Sequence, residues 1–235
     1  MVAPPSGKSH SGPWKGKHAP PDSEDREQVL GKPLASFLAD PGFATNAFFI
    51  PPLCHKNRVE HTPAILIRRR AWGDTSWIVT WLTLGQGKVA TIARGARRPA
   101  SPFSGKLDLF YIGEISFVIS QKSSLHTLRE VWIHEPFDAS SLSGPNLFLC
   151  CYFAELADLV TEPGAPVSGI FDLLSRALAH LRTNAASVRA LDFFEKELGR
   201  TLGISDTASH PLAALEAHCG RIPKSRAQLV RMLKA

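Results

Sequence analysis

Apolar and polar positions in the middle of the chain fall into five short runs suited to strands: Ala64 to Arg70, Trp77 to Leu84, Lys88 to Arg94, Leu109 to Ser120 and Leu125 to His134. All five are rich in Ile, Val, Thr, Trp and Phe, which fit a pleated, half-buried surface. Turn signals separate them at Gly73-Asp74, Gly85-Gln86-Gly87, Gly95 to Gly105, and Gln121 to Ser124. Five strands with one long connection before the fourth match a Greek-key barrel of the OB type better than a sandwich, which usually needs about seven. From Asn146 onward the period becomes helical. Ile170, Leu173, Leu174, Ala177, Leu178 and Leu181 form one stripe, Leu149, Phe153, Leu156 and Val160 a second, and Leu191, Phe194 and Leu198 a third. Gly199 and Gly203 are plausible stops for the third helix, and a short final helix is expected from Arg226, with Ser225 as N-cap and Gln228 completing a capping box. The pattern therefore predicts an α+β chain, a five-stranded OB-type barrel followed by an α-helical domain.

With 235 residues, 44% of them apolar, the chain can bury one sizeable core or two small ones. Residues 1–61 are rich in Pro, Gly and Ser without a sustained period, which predicts a flexible extension. The barrel is expected over residues 62–136, and the helical domain, ending in a basic tail, over residues 137–235. The sequence has neither a membrane-length apolar run nor the apolar stretch of a secretory signal, so a cytoplasmic protein without membrane partners is expected. Cys54, Cys150, Cys151 and Cys219 form no CxxC pair and read as reduced thiols, with no metal site or cofactor expected.

Charge is distributed more tellingly than composition. The net +6 is unevenly placed: His61 to Lys106 carries eight basic residues against the single acid Asp74, whereas residues 107–220 carry seven basic and fourteen acidic groups. From Arg221 onward there are five basic residues and no acid. Such asymmetry points to a polyanionic partner met by one face, whether nucleic acid or an acidic protein segment.

The sharpest local feature is the loop from Arg94 to Lys106, which places Arg94, Arg97, Arg98 and Lys106 on a Gly- and Pro-punctuated connection able to follow a phosphate backbone. Arg68, Arg69 and Arg70 end the first strand on both of its faces, and Lys88 opens the third. Trp72 beside the Gly-Asp turn is a possible base platform, whereas Trp77 and Trp81 share a face with Val79 and read as barrel core. These residues, Arg68, Arg69, Arg70, Trp72, Lys88, Arg94, Arg97, Arg98 and Lys106, form the candidate binding set. No GxGxxG, P-loop, HExxH or GxSxG is present, and the adjacent His218 and Cys219 diverge by about 100 degrees on a helix. No enzymatic activity is expected.

The stretch from Ala64 to Phe110 resembles the N-terminal domain of the bacterial RecO recombination mediators. The resemblance rests on the basic strand end at Arg68 to Arg70, Gly73-Asp74-Thr75-Ser76, Gly87-Lys88, Ala93-Arg94-Gly95-Ala96-Arg97-Arg98, and Phe103-Ser104-Gly105-Lys106-Leu107. It continues through Leu128-Arg129-Glu130, Glu135-Pro136-Phe137 and the helices to about Gly203. Many relatives carry a four-cysteine zinc site after the third long helix; with only Cys219 there, no such site is expected. The resemblance implies a nucleoid-associated DNA repair protein that binds single- and double-stranded DNA, anneals complementary strands, and assists RecA loading with RecR and the single-strand binding protein. It also implies a groove on the helical domain for the acidic, apolar tail of that single-strand binder, with Arg176, Arg182, Arg189 or the basic block from Arg221 to Lys234 receiving its carboxylates. Two alternatives remain open at this point: an OB-fold RNA-binding protein, and a protein-protein adaptor without annealing activity.

Overall fold

The computed structural model describes residues 58–166, 168–204 and 211–234. Most of the extension expected over residues 1–61 lies outside the described residues, as does Cys54. The five strands are β1 (Val59–Trp72), β2 (Ser76–Thr83), β3 (Gly87–Ala93), β4 (Ile112–Val118) and β5 (Leu125–Glu135). They close into a barrel in the order β1-β2-β3-β5-β4, with only the β3–β5 pairing parallel. This is the expected OB-type closure.

Closure depends on the length of β1. Its first half, Val59 to Ile65, pairs with β4, and Ala64 to Trp72 pairs with β2. The strand therefore starts at Val59 rather than Ala64. β4 starts at Ile112 rather than Leu109, because Phe110 donates its N–H to Leu66 O while Leu66 donates to Tyr111 O, giving an irregular approach to the sheet. Ala64, Leu66, Val79, Trp81, Val89, Ala93, Ile115, Phe117, Leu128 and Val131 fill the interior. The indole of Trp81 donates to Thr91 Oγ1 at 2.8 Å, which satisfies the one polar atom of that buried ring.

Five helices follow among the described residues: α1 (Gly144–Val160), α2 (Ser168–Thr183), α3 (Val188–Thr201), α4 (Pro211–Cys219) and α5 (Ser225–Lys234). The three stripes read from the sequence form the buried faces of α1, α2 and α3. Gly203, not Gly199, stops α3: the N–H of Gly203 returns to Arg200 O and that of Ile204 to Gly199 O. Ser225 lies inside α5, and its hydroxyl donates to Glu155 of α1. The helical core also takes Ile65, Ile67 and Leu82 from the outer face of the barrel, so barrel and helices share one apolar layer.

A backbone strap reinforces that layer. Lys88 N donates to Glu162 O at 3.3 Å and Gly164 N to Gln86 O at 3.1 Å, joining the β2–β3 turn to the connection after α1. Gly87 has φ +64°, and a Cβ there would sit 2.5 Å from Ala165 O and 2.6 Å from Glu162 O. Substituting Gly87→Ala adds backbone strain to a clash with two carbonyls and is expected to cost about 2 kcal/mol. A lowered urea midpoint at unchanged slope checks it.

Candidate nucleic-acid interface

The candidate surface is built at the end of the barrel where β1 stops. A bulge decides which arginine faces where. Leu66 pairs with Trp81 and Arg68 with Thr80, so Ile67 is the extra residue and the alternation inverts beyond it. Arg69, opposite Val79, therefore turns to the barrel mouth, and its guanidinium lies 4.7 Å from the centre of the Trp77 ring. It also donates to Leu107 O and lies 3.5 Å from Asp108. Arg70 packs over Trp72 at 5.5 Å, and Trp72 is 50% exposed.

The loop after β3 folds back onto the same end. Phe103 and Leu107 plug the barrel interior, which leaves Arg97, Arg98 and Lys106 exposed on the intervening turns. Arg97 N donates to Thr75 O at 2.8 Å, its Nη1 donates to Gly73 O at 3.1 Å, and Gly95 N donates to Ser76 Oγ at 3.4 Å. These bonds hold the loop to the β1–β2 turn. The Arg97 guanidinium lies 5.4 Å from the Trp77 ring, so two arginines meet one indole. Arg69, Trp77, Arg97, Arg98 and Phe103 border a depression of about 350 Å³.

The structure thus gathers Arg69, Arg97 and Arg98 around one hollow, with Arg70 and Trp72 on the adjoining hairpin. Lys106 lines a second hollow that shares Phe103 with the first. Arg94 is exposed where β3 ends. Among the described residues no carboxylate pairs with Arg70, Arg94, Arg97, Arg98 or Lys106. Arg68 and Lys88 stand apart from this set. Lys88 Nζ lies 3.0 Å from Asp158 Oδ1 and Arg68 Nη1 3.4 Å from Asp158 Oδ2, so the two cations share one α1 carboxylate, which halves their combined charge. Trp81 is core, as its spacing suggests. Trp77 shares that face but is only half-buried, because it lies at the rim where the barrel opens.

A separate groove of about 460 Å³ runs between α2 and α3. Leu173, Ala177, Ala190 and Phe194 line it, with Arg176, His180 and Arg189 at its edge and Phe193 59% exposed. Asn146 fixes the corner between those helices by donating to Leu181 O and Asn184 O and accepting from Ala186 N, at 2.7 to 2.8 Å. Arg182 does not line the groove and lies 3.9 Å from Glu135. In α5, Arg226 is withdrawn from the surface block: it donates twice to buried Glu195, which also accepts from Tyr152 Oη. Burial and the neighbouring Glu195 push the Tyr152 hydroxyl well above its usual range. Burial likewise raises the Cys219 thiol, which works against a reactive thiolate beside His218. No group of three or more His, Cys, Asp or Glu side chains among the described residues is placed to hold a metal ion. No helix among them is long and apolar enough to cross a membrane.

Known proteins share this arrangement in sequence. The family "Recombination protein O N terminal" matches residues 58–137, and "Recombination protein O C terminal" matches residues 143–206. A DNA repair protein RecO of Rhodopirellula baltica is 30% identical over 60% of this chain and 53% of its own length. That of Salinibacter ruber is 30% identical over 63% and 57%, and that of Nitrosospira multiformis 29% identical over 72% and 71%. The chain therefore spans little more than half the length of the first two of these relatives.

Proposed function

Taking as premise that the chain belongs to the RecO family of DNA repair proteins, we propose that it binds single- and double-stranded DNA through the cationic end of the barrel and anneals complementary strands. In that role it assists RecA loading on gapped DNA together with RecR and the single-strand binding protein. The observation that carries this proposal is the loop from Arg94 to Lys106, stapled to the β1–β2 turn with its cations exposed and without carboxylate partners among the described residues.

The chemistry required is binding, not bond making. Guanidinium groups that neutralise phosphates on two strands lower the repulsion between them. Because those contacts read no base edges, the strands can shift register before pairing. The exposed Trp72 ring adds a stacking surface that tolerates any base. The apolar groove edged by Arg176 and Arg189 suits the acidic, apolar tail of the single-strand binder, since carboxylates would meet guanidinium groups at its rim. Arg182, outside that groove, is not part of this proposal.

Annealing is tested by mixing complementary strands coated with the single-strand binder and following duplex formation. The chain should accelerate it; an unchanged rate overturns the proposal. Five cations lack a carboxylate partner among the described residues, and neutralising about five phosphates gives a salt slope near −3.5. Single-strand affinity should then fall about 100-fold between ~50 and ~200 mM salt, read by fluorescence anisotropy.

A further inference from the structure

The cationic end continues into a second hollow, of about 290 Å³, along the outer side of β5, where Pro102, Phe103, Lys106, Arg129 and Trp132 border it. Of the side chains there, the proposed function draws on Lys106 as a cation and leaves Arg129 and Trp132 unused. These two are turned outward by a specific irregularity of the sheet. Leu128 pairs with Phe117 and Glu130 with Ser116, so Arg129 is an extra residue in β5. Counted from inward Leu128, strict alternation would turn Glu130 and Trp132 inward and Val131 outward. The bulge instead leaves both Arg129 and Glu130 exposed between buried Leu128 and Val131.

Trp132 follows on the same outer side and is 42% exposed. The imidazole of His61 stacks on it, with centroids 6.0 Å apart and planes inclined by 25°, which backs the ring while leaving part of it open to solvent. His61 lies 3.8 Å from Glu114. Lys106 and Arg129 bring two positive charges to the hollow against the single carboxylate of Glu130, and neither cation has an ion-pair partner among the described residues. A fixed, part-open indole beside two cations is the combination that takes an unstacked base together with its phosphate. Base pairs in a duplex keep their faces covered, so the hollow suits a single strand.

We propose that this hollow holds one nucleotide of single-stranded DNA, its base against Trp132 and its phosphate between Lys106 and Arg129. The strand then runs from the Arg97 and Arg98 hollow past the shared Phe103. The inference rests on the DNA-binding reading of the barrel end, and the test separates the two. Binding of labelled oligo(dT), an abasic oligomer of equal length and a duplex is compared for Trp132→Ala, Trp132→Phe, Arg129→Ala and the triple variant Arg94→Ala/Arg97→Ala/Arg98→Ala. Trp132→Ala should weaken oligo(dT) about five-fold or more while leaving the abasic oligomer and the duplex unchanged, and Trp132→Phe should recover most of the loss. Arg129→Ala should weaken oligo(dT) and the abasic oligomer alike. Unchanged oligo(dT) binding by Trp132→Ala, or an equal loss on all three probes, overturns the nucleotide site. Unchanged binding by the triple variant overturns the parent reading instead, whatever Trp132→Ala does.

Discussion

Replacing Arg94, Arg97 and Arg98 together by Ala is expected to weaken single-stranded DNA binding about 100-fold at ~0.1 M salt. Each neutralised phosphate contributes about 0.7 to the salt slope, which at that concentration is a factor of about five, and three such contacts multiply. The variant should stay folded. The three side chains are exposed, and the loop is held by Phe103 and Leu107 in the barrel interior and by backbone bonds that alanine retains. Arg97 loses only its exposed hydrogen bond to Gly73 O and its contact with Trp77. Arg68→Ala provides the contrast within the same stretch. Its guanidinium already lies beside Asp158, which it shares with Lys88, so its loss should change affinity by less than about three-fold. Anisotropy titrations of both variants measure the difference, and a loss of about five-fold for Arg68→Ala, the same per cation as in the triple variant, would show that total charge, not the arrangement at the barrel end, sets affinity.

The second large effect concerns stability. Glu195→Ala is expected to destabilise the helical domain by about 3 kcal/mol, because it removes the one carboxylate that satisfies both Tyr152 Oη and Arg226. Glu195 is 2% exposed, so no water replaces it readily. Its loss leaves the Tyr152 hydroxyl buried without its acceptor, while Arg226, at the protein edge, regains part of its hydration. Tyr152→Phe should cost only about 1 kcal/mol, since the Glu195–Arg226 pair survives. Denaturant unfolding of the two variants compares them directly. A Glu195→Ala protein as stable as Tyr152→Phe would show that the ion pair contributes nothing beyond the tyrosine bond.

Much of this architecture was legible in the chain, for a plain reason. A stripe such as Ile170, Leu173, Leu174, Leu178 and Leu181 must face a core if it forms a helix, and β-branched runs between Gly-containing turns leave little choice but strands. The loop from Arg94 to Lys106 is equally visible, because residues 61–106 hold eight cations against the single acid Asp74. The limits appear where side-chain direction depends on register. Strict alternation beyond Leu66 would turn Arg68 and Arg70 inward and Arg69 outward; the extra Ile67 reverses this and brings Arg69 over Trp77. Trp132 is turned outward in the same way by the β5 bulge. Nothing local in either sequence announces a bulge, which is set by pairing with a distant strand.

Neutralisation from afar was the other hidden factor. Lys88 and Arg68 looked as available as their neighbours, yet Asp158, far along the chain in α1, reaches both because the β2–β3 turn is strapped to the connection after that helix. Arg226 is hidden likewise by Glu195. Trp77 shows a milder form: the face it occupies was correct, but whether that face lies in the core or at the rim depends on where the barrel opens. α4 carries no readable stripe in the sequence, because Leu215 is its only buried residue.

The account turns on where a single strand rests. Hydrogen exchange of the full chain with and without a saturating oligonucleotide locates it directly. Slower exchange is predicted over residues 94–106 and the β1–β2 turn from Trp72 to Ser76, with α2 and α3 unaffected. Protection confined to the helices, with the barrel end exchanging as in the free protein, would contradict it.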